Sequence, residues 1–315
     1  MLTRVRACPS DRLGGMSTAA SAVPLRIDGL VKDYGSVHAV RGIDVEVRPG
    51  EVFGFVGPNG AGKSTTIRCI LDLLRPTAGN VEVFGLDPRH DGVAIRERVA
   101  YVPGELRLPE RLSARRFLES IGRLRGGFDR KRLESLAERF QLDLGRSVRQ
   151  LSSGNRRKVA ILSAFLTDVD LLILDEPTGG LDPLMQHEFL ALLRERRAAG
   201  ATVFLSSHIL SEVQRVADRL AVLRAGVIVA QGTVSEVRGR ARQRVEVWFE
   251  GDAPASLAAL PGIERPTVDG RRFAATLSGP VQPLLDALAG RAVATMLIED
   301  PDLEDAFLDL YGDGS

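Results

Sequence analysis

Residues 57–65, Gly57-Pro58-Asn59-Gly60-Ala61-Gly62-Lys63-Ser64-Thr65, set a lysine and two hydroxyls directly behind a glycine-rich run. The run fits the pattern G-x-x-x-x-G-K-[ST] at every fixed position. Glycines let backbone N–H groups curl around phosphate oxygens with no Cβ in the way. A helix starting at the lysine adds the partial positive charge of its N-terminus. Lys63 is then placed to reach the β- and γ-phosphates of a nucleotide, and the Ser64 hydroxyl to ligate Mg²⁺. A second group of chemically capable residues is Asp175-Glu176, at the end of the apolar run Leu171-Leu172-Ile173-Leu174. Asp175 is placed to hold Mg²⁺, directly or through water. Glu176 beside it can orient and deprotonate a water attacking the γ-phosphate.

The elements that must position these groups are readable from periodicity. Residues 51–56 form a buried strand before the loop, and 66–74 are apolar at helical spacing after it. Upstream, 25–31 and 39–47 alternate as half-buried strands around a turn at 32–36, so an antiparallel β-region precedes the loop. Short strands follow at 79–85 and 99–102. Segments 112–125 and 130–140 read as charged helices separated by Gly126-Gly127, and 155–167 as a third helix. The runs 171–176 and 202–208 suit central parallel strands buried on both faces. Helices at 184–199 and 209–217 and strands at 219–224 and 227–231 complete this part. Composition shifts near Arg238-Gly239-Arg240. Beyond it, strands at 244–250, 263–268, 271–277 and 293–299 with helices at 254–260 and 281–289 give a βαββαβ order, that of a ferredoxin-like split βαβ unit. A terminal helix at 302–311 follows.

The chain has 315 residues, enough for one large and one small domain. Its apolar fraction of 44% and charged fraction of 26% are those of a globular protein. A formal net charge of +1 gives no argument for a nucleic-acid partner. Only four of the 42 basic residues are lysines, so Lys63 in the loop is no by-product of lysine abundance. Cys8 and Cys69 make no disulfide framework, and no Cys/His spacing resembles a metal site. Residues 1–24 read as a disordered extension without the apolar core of a signal peptide, with Met16 a second plausible start. No run is long and apolar enough to span a membrane. An intracellular protein is expected.

The loop alone leaves GTPases, kinases, helicases and transport ATPases open. The remaining motifs narrow this, because residues 25–240 resemble the ATP-binding cassette (ABC) family. Leu151-Ser152-Ser153-Gly154-Asn155 is similar to the family signature LSGGQ, ahead of the Walker B strand at 171–176. Gly179-Gly180-Leu181-Asp182 resembles the D-loop, with Asp182 its acid, and His208 falls at the switch histidine. Tyr34 matches the aromatic residue that stacks on adenine. The resemblance implies an α/β P-loop fold with a mixed sheet core, an antiparallel β-subdomain, a helical signature subdomain at about 105–167 and a small C-terminal α+β domain at 241–315. It implies that Gly57 through Thr65 bind ATP, that Ser64 and Asp175 hold Mg²⁺, and that Glu176 and His208 act in hydrolysis. It further implies that Ser152, Ser153, Gly154 and Asn155 contact the γ-phosphate held by a second cassette, in a head-to-tail homodimer or heterodimer.

The chain departs from the family pattern at four places. Ser153 and Asn155 replace the usual Gly and Gln of the signature, and Gly179 stands at the first D-loop position in place of Ser. At the Q-loop, Tyr101-Val102-Pro103-Gly104-Glu105 puts Gly104 where glutamine is usual, with Glu105 next door as a substitute Mg²⁺ or water contact. The tail from Ile298 to Phe307 resembles the C-termini of ATPases serving ABC-2-type exporters, among them drug- and antibiotic-export ATPases. The expectation is therefore an ATP hydrolase that powers a separate integral-membrane permease from the cytoplasmic face of the membrane. The rival is a soluble ABC ATPase acting on a macromolecular complex.

Overall fold

A computed structural model describes residues 23–238 and 243–299. The N-terminal extension up to residue 22, the composition break at 239–240, most of the export-type tail and the helix expected at 302–311 lie outside the described residues.

In chain order, β1 (Leu25–Tyr34) and β2 (Val37–Val47) form a hairpin, and β3 (Val52–Val56) leads into α1 (Lys63–Ile70). Then come β4 (Ala78–Val83), α2 (Gly92–Arg98) and β5 (Val99–Val102). Three helices follow: α3 (Ala114–Leu124), α4 (Arg130–Arg139) and α5 (Ser153–Phe165). Next are β6 (Leu171–Asp175), α6 (Pro183–Ala198), β7 (Thr202–Ser207) and α7 (Leu210–Gln214). The pair β8 (Arg219–Arg224) and β9 (Val227–Thr233) and the short α8 (Val234–Arg238) end this part.

The central sheet has the order β5-β6-β7-β3-β8-β9, parallel up to β8 and antiparallel at β9. Every residue of β3, β6 and β7 is buried. Because successive side chains point to opposite faces, each strand feeds two cores. Phe53, Phe55, Ile173 and Phe204 pack beneath the antiparallel sheet β2-β1-β4. Val56, Leu174 and Leu205 pack on the other face with Phe165 of α5 and Phe189 of α6. Burial on both faces is what makes these strands unbroken apolar runs in sequence.

The C-terminal part contains β10 (Gln243–Phe249), β11 (Ile263–Asp269), β12 (Arg272–Leu277), α9 (Gln282–Leu288) and β13 (Val293–Glu299). Its sheet order, β11-β12-β10-β13, is antiparallel throughout, as a split βαβ unit requires. Val247, Phe273, Leu277 and Leu284 belong to a core of its own. The helix expected at 254–260 is instead a 3₁₀ stretch, Ala255–Ala259. Pro254 and Pro261 leave it too short to propagate as α-helix.

Two further expectations shift. The helix after the phosphate loop ends at Ile70, not residue 74; Asp72 turns left-handed (φ 53°). Leu71 and Leu74 still pack against the core, so the apolar pattern outlasts the helix that it resembles. Tyr34 is the last residue of β1, paired with Val37, and not part of a turn. Helix α2 carries no readable apolar period, because Ile95 is its one buried residue.

The centre of the sheet offers a direct check of this packing. Phe204 is fully buried, with ring centroids 5.9 Å from Phe53 and 5.3 Å from Phe55. Phe204→Ala is expected to lower the unfolding free energy by about 3–5 kcal/mol, read from denaturant titration followed by circular dichroism.

Candidate functional site

The phosphate loop leaves the carboxyl end of β3 and closes on the N-terminus of α1. Two of its glycines answer to neighbouring backbone. A Cβ at Gly57 would lie 2.3 Å from the Leu223 carbonyl oxygen, and one at Gly62, where φ is 110°, 2.5 Å from that of Ala39. Lys63, the first residue of α1, is only 5% exposed. Its Nζ donates to the carbonyls of Gly57 (2.6 Å) and Pro58 (3.0 Å) and lies 3.0 Å from Glu176 Oε1. A cavity of about 370 Å³ joins the loop, from Asn59 to Thr65, with Gly104, Glu105, Asp175 and Glu176. Ala39 and Arg68 also line it; no sequence signal marked either.

Asp175 ends β6, two strands from β3 with β7 between them. It is 2% exposed, and its Oδ1 accepts from the Ser206 hydroxyl at 2.6 Å. Glu176 takes a left-handed conformation (φ 49°), with its N–H held by Ser206 through the carbonyl and the hydroxyl, each at 3.2 Å. Such a conformation in a non-glycine residue costs about 1–3 kcal/mol and persists only where its surroundings enforce it. It turns the carboxylate back over the loop, between Lys63 Nζ and His208 Nδ1, both within contact. A cation on one oxygen and an imidazole on the other fix the orientation of this carboxylate.

Beneath that pair lies a residue that the sequence reading missed. Glu212 is 7% exposed; its Oε2 accepts from Thr178 Oγ1 at 2.7 Å and Ser207 Oγ at 3.4 Å. Oε1 has no hydrogen-bond partner among the described residues. Burial pushes its pKa up, against the two hydroxyl hydrogen bonds and the nearby His208. The available signal was an acid one turn beyond His208, between the apolar residues Leu210 and Val213 of α7. Burial, reinforced by the Asp175 charge, also raises the Tyr101 phenol to about 12.

The signature motif begins α5. Ser152 is the N-cap, its hydroxyl accepting from Asn155 N at 3.3 Å, and Ser152 and Ser153 are exposed. Gly154 backs onto the D-loop, where a Cβ would lie 2.7 Å from the Gly180 carbonyl oxygen. Asp182 caps α6 through Met185 N at 3.0 Å, with Pro183 in the first turn. Residues 152–155 do not line the cavity of their own chain, nor does Tyr34. Tyr34 is 45% exposed, with Lys32 Nζ 5.2 Å from its ring centroid.

A strand–glycine loop–helix unit facing an acidic pair two strands away, with a histidine on the intervening strand's end, defines an ATP-binding cassette ATPase. The family model described as "ABC transporter" matches residues 40–179. The daunorubicin resistance ATP-binding protein DrrA3 of Streptomyces coeruleorubidus is 39% identical over 92% of this chain and 96% of its own length. A Nod factor export ATP-binding protein I from Rhizobium sp. (strain N33) is 35% identical over 93% of this chain and 98% of its own. A solved ATP-binding subunit of an ABC transporter is 33% identical and superposes with a TM-score of 0.63 over 68% of this chain and 91% of that one. The chain belongs to the ABC transporter family and is an ATP-binding, ATP-hydrolysing subunit. Among the described residues no helix is long and apolar enough to cross a membrane.

Glu212 makes stability depend on pH in a definite direction. Its pKa is raised on folding, so its stabilising contribution is complete below the ordinary value of 4.5 and is lost as pH rises through the folded value. Glu212→Gln removes that loss. Its melting temperature should exceed that of the wild type at about pH 8, with the gap closing towards acid pH in paired thermal melts.

Proposed function

We propose that this chain is the motor subunit of an exporter, in which two cassettes close head to tail on two ATP molecules and drive a separate integral-membrane permease. The observation that carries the reading is the Lys63–Glu176–His208 cluster, of which Lys63 and Glu176 line the cavity. Residues 57–65 hold the phosphates, with Lys63 on the β- and γ-phosphates. Glu176 takes the proton of the attacking water, and His208 holds that carboxylate while touching the γ-phosphate. Tyr34 stacks on adenine.

Mg²⁺ fits the donors present. It favours hard oxygen ligands, keeps several waters and needs only one or two carboxylates beside the substrate's phosphates. Asp175 Oδ2 faces Gly104, where a Cβ would come within 3.1 Å, so that side of the carboxylate is kept clear of side chain. Ser64 and Asp175 are the residues that would hold the ion, with Glu105 at the rim; the ion supplies charge neutralisation on the phosphates.

The dimer follows from what one chain's cavity lacks. Ser152 through Asn155 offer a capped helix N-terminus, suited to an anion, outside their own cavity. A second cassette, a copy or a homologue, brings that terminus to the γ-phosphate, and Asp182 sits at the seam. The full-length relatives, by name a drug-resistance protein and a Nod factor export protein, support export over import. A drug or antibiotic is the proposed cargo class, and the inner face of the cell membrane is the proposed site of action. Residues 25–240 form the cassette, and 241–315 an accessory domain.

Glu176→Gln is expected to cut turnover by about 10²–10⁴-fold and to trap an ATP-bound dimer in gel filtration with ATP and Mg²⁺. Lys63→Ala should lose ATP binding. A Glu176→Gln protein that stays monomeric in saturating ATP would sink the sandwich. Tagged Glu176→Gln protein recovered from native membranes should bring down a polytopic membrane protein; a ribosomal or DNA-bound catch instead would favour the soluble alternative.

A further inference from the structure

Arg157 sits in the second turn of α5, three residues past Gly154. Its guanidinium donates through Nη1 to the Pro103 carbonyl (2.8 Å), through Nη2 to the Gly104 carbonyl (2.7 Å) and through Nε to the Gly179 carbonyl (3.3 Å). One side chain therefore reaches the loop after β5 and the loop after Glu176 at once. Residues 104 and 179 in these loops are glycines, so neither has a side chain with which to reach α5. An independent contact joins the same pieces, because Gly154 lies against Gly180 closely enough to exclude a Cβ. Gly104 in turn lies against Asp175, so a displaced Gly104 is felt at the carboxylate.

We propose that Arg157 is a positioning residue that ties the signature helix, the Gly104 loop and the D-loop into one unit, gripping by main-chain hydrogen bonds two loops whose residues 104 and 179 have no side chains to make the link themselves. Arginine suits the task, since its planar fork carries five donors in fixed directions and stays charged. Hydrogen bonds from an ionised donor are the strong ones. Burial lowers the Arg157 pKa, while Asp175 and Glu176 nearby oppose that and favour the cation. The signature turn that serves a partner cassette is thereby coupled to the acidic side of its own chain's cavity. Lysine, with a single compact head, cannot hold three carbonyls so arranged.

The test compares full-length wild type, Arg157→Lys and Arg157→Met in three readouts: affinity for a fluorescent ATP analogue, kcat for ATP hydrolysis, and deuterium uptake along the chain. Arg157 does not line the cavity, so ATP affinity should stay within about twofold. The kcat should fall by about tenfold or more in Arg157→Met, with Arg157→Lys in between. Uptake should rise together in segments 103–106 and 178–181 and remain unchanged in 57–65. Wild-type kcat and uptake in both variants would overturn the proposal, as would loosening of one loop alone or a loss of ATP affinity with kcat intact. Should Arg157→Met fail to fold, Arg157→Lys decides by the same criteria. The inference rests on the sandwich reading only where it links the helix to a partner. Wild-type protein that hydrolyses ATP without dimerising would sink the sandwich and leave the uptake comparison to judge the clamp.

Discussion

A buried charged group needs partners, and Lys63 is buried with its head among two carbonyls and the Glu176 carboxylate. Satisfying it requires the end of β3 and the end of β6 to face each other across β7. Parallel pairing of β3 with β7 and of β7 with β6 achieves this, because it sets all three carboxyl ends on one edge of the sheet. The loops leave from that edge, where crevices in parallel sheets form. Ser206 at the end of β7 completes the arrangement by holding both Asp175 and the Glu176 N–H. Each of the three strands buries both faces, which commits their registers.

What could be read before the fold was known follows from how local each feature is. The phosphate loop carries its chemistry in consecutive residues, so Lys63 and Ser64 were legible outright. Asp175 and Glu176 were legible because a doubly buried strand has few reasons to end in two acids. His208 needed the family resemblance, and the structure sets it on Glu176. Glu212 and Arg157 were missed for the same reason as each other. The shortest hydrogen bond of each is to a residue 34 and 53 positions away respectively, and neither residue type is unusual on a helix. Ala39 reaches the cavity only because the β1–β2 hairpin folds over the loop, which no pattern in residues 37–47 announces.

Where local pattern and tertiary packing disagreed, packing won. Leu71 and Leu74 remain against the core without a helix, since a left-handed Asp72 lets the chain turn, and Leu73 between them is left exposed. In the C-terminal sheet, Val245, Val247 and Phe249 point inward, and Glu246 on the opposite face accepts from Arg244 and Arg272. That alternation made the strand order legible. The same rule failed for 254–260, where two prolines limit an apolar segment to a 3₁₀ stretch.

The strained backbone at Glu176 and the glycines around it belong to one design. Glu176 is forced into a left-handed conformation, and the chain that follows it passes the start of α5, where Gly154, lacking a side chain, leaves room for the Gly180 carbonyl. A loop with so few side-chain anchors would be expected to wander, yet it directly follows the residue whose orientation matters most. Thr178 is anchored from below by Glu212, and Gly179 from the side by Arg157. The loop after Glu176 is thus held at two adjacent residues by side chains from two different helices, α7 and α5. One of these helices adjoins the histidine beside Glu176 and the other begins with the signature turn. A movement of either helix therefore reaches the Glu176 carboxylate through one short, nearly featureless segment.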